Sequence, residues 1–369
     1  MFRLISTSKE GKRRGKIITS HGEIKTPLFM PDATRGFVKL LTSEEVKKTK
    51  TQALVVNTFH LYLQPGLEII KQAGGVHKFI GWDGPILSDS GGFQVFSLIH
   101  NNHKMGKISD SRVSFKSPLS GKWHDLTPEK SIQIQFDLGV DMMVCLDDCP
   151  PNDISREKME KSVLRTIAWA KRCKREYLKQ IKLRKIKNSN KPLLFAVIQG
   201  GAEIDLRKFC ADELKKIGFD GYGFGARPVD KDGNFLEEVL RASAQFIPKD
   251  ALRFALGVGT PEDISRCLNL GWDMFDCVIP TREGRHGKLF KLKNNSYQSF
   301  SITNSKFSRD FESINENSTF SILRDSSLAF LNHLFKLKDP LGPRLASLNN
   351  LEFYQIWLKN IQKLKNNKK

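Results

Sequence analysis

Two aspartates, each near the end of a short apolar segment, are the residues of this sequence best suited to chemistry. Asp89 ends the segment PILSD and precedes a Gly-Gly turn in the run SDSGGFQV. Asp276 lies in the apolar segment MFDCVIP, and a basic turn carrying Arg282 and Arg285 follows it. A carboxylate at a strand end can act as acid, base or nucleophile, and arginines contact the phosphates of nucleic acids. These residues predict acid–base or nucleophilic catalysis on an anionic polymer.

The composition indicates a basic protein of the cytoplasm. The 369 residues include 60 Lys and Arg against 40 Asp and Glu, a formal charge of +20. Such an excess favours a nucleic-acid partner. A lysine-rich surface that only keeps the protein soluble would give the same net charge. The six cysteines form no CxxC pair, which is typical of reduced thiols. No signal peptide and no apolar stretch long enough for a membrane are found, so we expect no membrane segment.

Alternating apolar and amphipathic segments predict an α/β fold. The apolar segments are mostly continuous runs, as expected of strands that are buried on both faces. Helices are predicted between them at 155–186, 203–217 and 235–246, and Thr260 is a predicted N-cap of another. Eight strands alternating with helices favour a (β/α)8 TIM barrel, with a doubly wound open sheet as the alternative. The eight segments cover residues 26–31, 53–59, 85–89, 141–148, 192–200, 219–225, 252–259 and 274–280.

Two polar stretches interrupt this alternation. Residues 101–123 predict a surface insertion with a short hairpin. Residues 288–345 form a longer segment, rich in Asn and Ser, after the last strand. We therefore predict a single catalytic barrel domain over 1–369, with 288–345 as an inserted subdomain.

The carboxyl ends of the predicted strands carry further polar residues. In a barrel these ends lie together at the mouth, where working residues are found. Asn57, Asp147, Gln199 and the Gly225–Ala226 turn occupy such positions. A carboxylate can accept hydrogen bonds from N1–H and the exocyclic amine of guanine, and a carboxamide can donate or accept them. Asp147 and Gln199 therefore suit recognition of a purine edge. Each alone would equally suit a helix cap or a plain turn; the prediction depends on their coincidence at one mouth.

The motifs that contain these residues resemble those of the bacterial-type tRNA-guanine transglycosylases. The resemblance covers almost the whole chain and implies a glycosyltransferase of the TIM-barrel class. Such an enzyme replaces guanine at the wobble position of tRNA by a 7-deazaguanine, in queuosine biosynthesis. The matching runs are SDSGGFQV, NTFHLYLQPG, GWDGPIL, TPEKSIQIQFDLGVD, LDDCPP, GFDGY, LGVGTPEDI and MFDCVIPTREGRHG.

The resemblance also implies a role for each site residue. Asp276 would be the nucleophile that attacks C1′ and forms a covalent ribosyl-aspartate ester, and Asp89 would be the general acid/base. The base would be bound by Ser90, Gly91, Gly92, Phe93, Asp147, Gln199, Ala226 and Leu256. The anticodon loop of tRNA would lie on Gly257, Val258, Gly259, Thr260, Pro261, Glu262, Asp263, Thr281, Arg282, Glu283, Gly284 and Arg285.

The chain departs from the family pattern in its last subdomain. The family carries a zinc site of three cysteines and a histidine there, and supports a homodimer with it. The corresponding positions in this chain are Ser318, Phe320, Leu323 and Asn349, none of which is a strong zinc ligand. We therefore predict a degenerate zinc-type subdomain with no metal and no other cofactor, and leave the homodimer open.

A second departure lies in the base pocket. Gly225, Ala226 and Arg227 stand where the family has Gly-Gly-Leu. Cys149 and Val229 resemble the bacterial pattern, which favours 7-aminomethyl-7-deazaguanine, whereas an inward Arg227 would repel its ammonium group. Two other functions stay open from the sequence: a non-catalytic RNA-binding paralogue, and a deazaguanine transglycosylase that acts on DNA.

Overall fold

A computed structural model describes residues 1–363 of this chain except 153, 231, 294 and 295. Its strands are β1 Phe2–Thr7, β2 Arg13–Thr19, β3 Gly22–Thr26, β4 Leu28–Pro31, β5 Leu54–Asn57, β6 Ile86–Asp89, β7 Gly106–Ile108, β8 Val113–Lys116, β9 Trp123–Leu126, β10 Met142–Val144, β11 Leu193–Ile198, β12 Gly221–Phe224, β13 Leu252–Ala255, β14 Met274–Cys277, β15 Lys288–Lys293 and β16 Ser296–Ser301.

At least one α-helix lies between each two consecutive strands of the set β4, β5, β6, β10, β11, β12, β13 and β14. The α-helices are α1 Ser43–Lys48, α2 Thr58–Leu61, α3 Leu67–Gln72, α4 Val76–Ile80, α5 Gly92–Asn101, α6 Pro128–Leu138, α7 Arg156–Leu183, α8 Ile204–Ile217, α9 Glu237–Phe246, α10 Pro261–Asn269, α11 Ile279–Arg285, α12 Ser321–Asp325, α13 Leu328–Leu337 and α14 Leu341–Lys363. None of the described helices is both long enough and apolar enough to cross a membrane.

Eight of the strands form one parallel sheet that closes into a barrel. Neighbouring strands follow the order β4-β14-β13-β12-β11-β10-β6-β5. The two outer strands meet through a parallel bridge between Asp32, just after β4, and Val55 of β5. The amide of Ala33 also donates to the carbonyl of Val55 at 2.7 Å. The predicted TIM barrel is therefore confirmed, and the alternative of an open sheet is wrong. Each predicted apolar segment contains one of the eight strands.

The strand β11 illustrates why continuous apolar runs build this barrel. All six of its residues are buried. Leu193, Phe195 and Val197 belong to the cluster that fills the barrel interior. The alternate residues Leu194 and Ala196 belong to the larger cluster between the barrel and its helices. Each strand thus has two apolar faces, which is the property that the sequence pattern indicates.

A small antiparallel sheet of β1, β2 and β3 covers the amino ends of the barrel strands. Its residues Ile17 and Ile24 are fully buried and join the interior cluster. The sequence analysis did not identify this sheet. It leaves the opposite end, where the strands end, as the open mouth of the barrel.

The C-terminal helix α14 is the last helix of the barrel, because it packs against the first barrel strand. Its Tyr354 ring lies 4.8 Å from the ring of Phe29 in β4. Between α11 and α14 the chain forms the hairpin β15–β16 and the helices α12 and α13. The earlier polar stretch contributes to a separate three-stranded antiparallel sheet of β7, β8 and β9. The division of the chain into a barrel domain and insertions stays a prediction.

Candidate active site

Four neighbouring strands carry acidic or amide residues at the barrel mouth. In the order β14, β4, β5, β6 these residues are Asp276, Asp32, Asn57 and Asp89. Asp276 is in register with Met30 of β4, and Asn57 is in register with Asp89. The fold therefore brings the two predicted catalytic aspartates, which are far apart in sequence, to one side of the mouth.

The Asp89 carboxylate is held by three hydrogen bonds. Its Oδ1 accepts from the backbone amides of Gly91 at 3.0 Å and Thr58 at 3.3 Å. Its Oδ2 accepts from the side-chain amide of Asn57 at 2.5 Å. Burial nevertheless raises the pKa of Asp89 to about 7, because the charged form loses its hydration. Asp89 can therefore hold a proton near neutral pH, as a general acid must.

Asp276 is oriented by the backbone of the neighbouring strand end. The amide of Gly257 donates to its Oδ1 at 2.9 Å. Burial, followed by the nearby charge of Asp32, raises the pKa of Asp276 to about 7. Burial thus raises the pKa of both Asp276 and Asp89 into the same range near neutrality. A pair with one ionised and one protonated carboxyl is what a nucleophile and its acid partner require.

The Gly-Gly turn after Asp89 has no room for side chains. Gly91 has φ of +77°, and a Cβ there would lie 2.9 Å from the amide nitrogen of Phe59. A Cβ on Gly92 would lie 2.9 Å from Cδ1 of Leu146. This close packing starts α5 directly at the mouth, where Phe93 is 54% exposed. An exposed phenyl ring beside the acidic residues is available to stack on a planar base.

Asp147 and Gln199 form a buried polar pair after β10 and β11. The side-chain amide of Gln199 donates to Oδ2 of Asp147 at 2.7 Å. Within the described part of the chain, Oε1 of Gln199 is buried without a hydrogen-bond partner. Burial raises the pKa of Asp147 to about 6. Since buried polar atoms are normally paired, this pair suits a ligand that brings N–H donors, such as the edge of guanine.

The turn after β12 has an unusual backbone at the position where the chain departs from its family. Ala226 has φ of +89°, in the left-handed region that favours glycine. A Cβ on the preceding Gly225 would lie 2.4 Å from Nε2 of Gln199. The side chain of Arg227 is exposed, and the side-chain amide of Asn152 donates to its carbonyl at 3.1 Å. The backbone of this turn therefore closely approaches the pair formed by Asp147 and Gln199.

Arg207 is a positioning residue that the sequence analysis missed. Its guanidinium is fully buried and donates to the carbonyls of Gly201 at 2.7 Å, Ile198 at 3.1 Å and Gly225 at 2.9 Å. It also lies 4.0 Å from the centre of the Phe224 ring. Arg207 thus joins the turns after β11 and β12. In the sequence it is one charged residue of an amphipathic helix, where a surface position is the ordinary expectation.

Asp32 is a third acidic residue at the mouth that the sequence analysis missed. It directly follows β4, and its Oδ1 accepts from the backbone amide of Thr34 at 2.6 Å and from the Thr34 hydroxyl. The signal was the same as for Asp89, a carboxylate after the apolar segment TPLFMP.

The predicted RNA-binding residues differ in exposure. Arg282 and Glu262 are exposed, and Arg285 is half-buried on α11, directly after the strand of Asp276. The backbone amide of Gly257 is already bonded to Asp276. The buried members, which therefore shape the surface rather than reach a polymer, are Val258, Gly259, Pro261, Thr281 and Gly284.

The predicted zinc-type positions do not fit a metal. Asn349 is buried, and its Nδ2 donates to the carbonyl of Phe290 at 3.0 Å. The Ser318 hydroxyl donates to Glu352, which also accepts from the amide of Thr319 at 2.7 Å. Phe320 and Leu323 are buried apolar residues. The four positions offer no thiolate or imidazole, and their polar atoms are paired with protein groups.

Comparison with known proteins agrees with this geometry. The family model described as "Queuine tRNA-ribosyltransferase" matches residues 8–367. The queuine tRNA-ribosyltransferase of Natranaerobius thermophilus is 40% identical over 98% of this chain and 93% of its own length. Those of Desulforamulus reducens and Staphylococcus aureus (strain bovine RF122) are each 40% identical, over 95% and 97% of this chain and 90% of their own lengths. The chain belongs to the queuine tRNA-ribosyltransferase family.

Proposed function

We propose that this protein is a tRNA-guanine transglycosylase of the cytoplasm. It exchanges guanine at the wobble position of tRNA for a 7-deazaguanine, in queuosine biosynthesis. The observation that carries the proposal is the joint placement of Asp276 and Asp89 on one side of the barrel mouth, each fixed by backbone amides. The buried pair of Asp147 and Gln199 adds a site suited to a purine edge.

The first half of the reaction removes guanine. A carboxylate oxygen of Asp276 forms a bond to C1′ of the ribose while the C1′–N9 bond breaks and its electron pair leaves with the base. Asp89 donates its proton to the departing guanine. The products of this step are free guanine and a ribosyl ester of Asp276.

The second half installs the new base. Asp89, now ionised, accepts the N9 proton of the incoming deazaguanine, and N9 attacks C1′ as the ester bond to Asp276 breaks. Two displacements at one carbon restore the original configuration, by the same logic as in retaining glycosidases. The enzyme returns to its starting protonation state.

The base is recognised at the turns of the mouth. We assign the purine edge to Asp147 and Gln199, and stacking to Phe93 and Leu256 on the two faces of the ring. The backbone of Ala226 and the turn Ser90, Gly91 and Gly92 complete the pocket. Our candidate for the inserted base is 7-aminomethyl-7-deazaguanine, since the Arg227 side chain is exposed.

The polymer is held by the basic turn beside the nucleophile. Arg282 and Arg285 lie on α11, directly after the strand that carries Asp276, and we assign them to contact with the anticodon loop. The target base must be splayed out of that loop, at a cost of about a few kcal/mol. The formal charge of +20 favours the phosphate backbone of this partner.

The experiment that tests the proposal is exchange of radiolabelled guanine into bulk tRNA by wild type and by Asp276→Asn. The variant lacks the nucleophile, so we expect its kcat to fall by about 10⁴-fold or more. Wild type, but not the variant, should also form an adduct with tRNA that survives denaturing electrophoresis. Asp83→Asn is the matched control, because that carboxylate is 72% exposed.

Two results would contradict the proposal. Wild type that binds tRNA without exchanging guanine would indicate the non-catalytic RNA-binding paralogue. Exchange into a DNA duplex or single strand, with none into tRNA, would indicate the DNA-modifying alternative.

A further inference from the structure

A third carboxylate stands between the two that the proposed reaction uses. The barrel strand β4 lies between β14, which carries Asp276, and β5, whose Asn57 holds Asp89. Asp32 follows β4 directly and bridges to Val55 of β5. Since β4 is in register with β14 so that Asp276 pairs with Met30, Asp32 is two residues further toward the mouth.

Asp32 makes its side-chain hydrogen bonds within its own turn. Its Oδ1 is occupied by the amide and hydroxyl of Thr34. In the part of the chain that the structure describes, no ion pair joins Asp32 to a cationic side chain. The carboxylate is half-buried, so its charge acts on the mouth with less screening than a surface charge would.

We propose that Asp32 is a third acidic residue of the reaction centre, whose negative charge stabilises the positively charged ribosyl group that forms as guanine leaves. This inference rests on the proposed function. Cleavage of the C1′–N9 bond places positive charge on C1′ and the ring oxygen before the bond to Asp276 is complete. A fixed negative charge beside that position lowers the energy of the transition state more than that of the neutral substrate.

The titration of neighbouring groups supports this placement. The charge of Asp32 raises the pKa of both Asp89 and Asp276, after burial as the larger cause. The same charge favours the protonated forms of His60 and Arg285. Burial and a neighbouring arginine outweigh it, so the pKa of each group is lowered. The charged and titratable groups around Asp32 are Asp89 from β6, Asp276 and Cys277 from β14, Arg35 from its own loop, His60 from α2, and Arg285 from α11.

The competing explanation is a purely local one. An aspartate that accepts from the amide two residues later is a common turn former. Asparagine keeps that acceptor but has no charge, so Asp32→Asn separates the two roles. Thr34→Val is the matched control, because it keeps the charge and removes one hydrogen bond of the turn.

The test compares the pH dependence of guanine exchange into tRNA for wild type, Asp32→Asn and Thr34→Val. We expect Asp32→Asn to lower kcat about 10-fold or more with little change in KM for tRNA, whereas Thr34→Val keeps wild-type kcat. Loss of the like charge should also lower the pKa of both Asp276 and Asp89. Both limbs of the pH profile should therefore move to lower pH in Asp32→Asn alone.

An Asp32→Asn enzyme with wild-type kcat and unshifted limbs would reduce Asp32 to a turn former and overturn the inference. A wild-type enzyme without exchange activity would instead overturn the proposed function itself. Thermal unfolding of each variant shows whether a lost rate reflects a lost fold.

Discussion

At the scale of single residues, the site depends on burial acting against hydrogen bonding. Asp89 and Asp276 each accept from backbone amides, which favours the ionised form, yet burial raises the pKa of both to about 7. Asp141, at the opposite end of the barrel, is also buried. There the donors His77 and His21 are sufficient to lower the pKa of the carboxyl to about 2. The donors, rather than burial, therefore set Asp141 apart from Asp89 and Asp276.

This balance predicts a bell-shaped pH profile for kcat/KM. Asp276 must be ionised to attack, so activity should fall as pH drops below about 7. Asp89 must be protonated to donate, so activity should fall as pH rises above about 7. Initial rates of guanine exchange from pH 5 to 9, with tRNA below its KM, measure this profile.

Asp89→Asn is the companion variant for this measurement. It cannot donate a proton, so its residual rate should lose the alkaline limb. A flat wild-type profile across neutrality, or an alkaline limb retained in Asp89→Asn, is the outcome that would contradict the assignment.

At the scale of elements, helix α14 fixes the segments that carry the predicted RNA contacts. Nδ2 of Asn350 donates to the carbonyls of Pro280 at 3.0 Å and Lys288 at 2.8 Å, and its Oδ1 accepts from the amide of Phe290 at 3.0 Å. The hydroxyl of Tyr354 donates to the carbonyl of Gly259 at 2.8 Å. One helix therefore holds both α11 and the turn after β13.

Asn350→Ala should disturb both stability and RNA binding. It removes the side-chain partner of three backbone groups, two of them buried, which we expect to cost about 2–4 kcal/mol of unfolding free energy. Because α11 carries Arg282 and Arg285, KM for tRNA should rise more than kcat falls. Urea unfolding and steady-state exchange kinetics measure the two effects, with exposed Lys359→Ala of the same helix as control. Unchanged stability and KM would show that α14 does not support the turn.

At the scale of the whole molecule, the segment between α11 and α14 is held by hydrogen bonds and apolar packing. Glu352 of α14 accepts from the Ser318 hydroxyl and, at 2.6 Å, from the Thr319 hydroxyl. Leu323 and Leu331 of the same segment are fully buried. These contacts join the segment to the barrel in the region where the sequence resemblance implies a metal site.

We therefore predict that removal of metal leaves this protein unchanged. Extensive dialysis against a strong chelator should alter neither its exchange rate nor its melting temperature, because the predicted ligand positions cannot bind zinc. Elemental analysis of the purified protein should find less than stoichiometric zinc. A melting temperature that falls on chelation and recovers with added zinc would show that a metal supports the fold.

The sequence by itself determined the eight strand segments and the acidic residues at their ends. Continuous apolar segments are a local property, and a strand-end carboxylate such as Asp89 or Asp276 is visible in each segment taken alone. The distance between these residues, the order of their strands, and the closure through Asp32 and Val55 are not local, since they arise from pairings across the whole chain.

Only the tertiary structure shows which groups surround Asp32, Arg207 and Asn350. Each is a polar residue whose sequence context is that of a turn or a helix surface. Arg207 and Asn350 find their partners in other elements of the barrel, as when Arg207 reaches the carbonyl of Gly225 and Asn350 that of Pro280. A sequence pattern records which face of an element is apolar, whereas the partner of a buried polar group depends on which elements the fold brings against it.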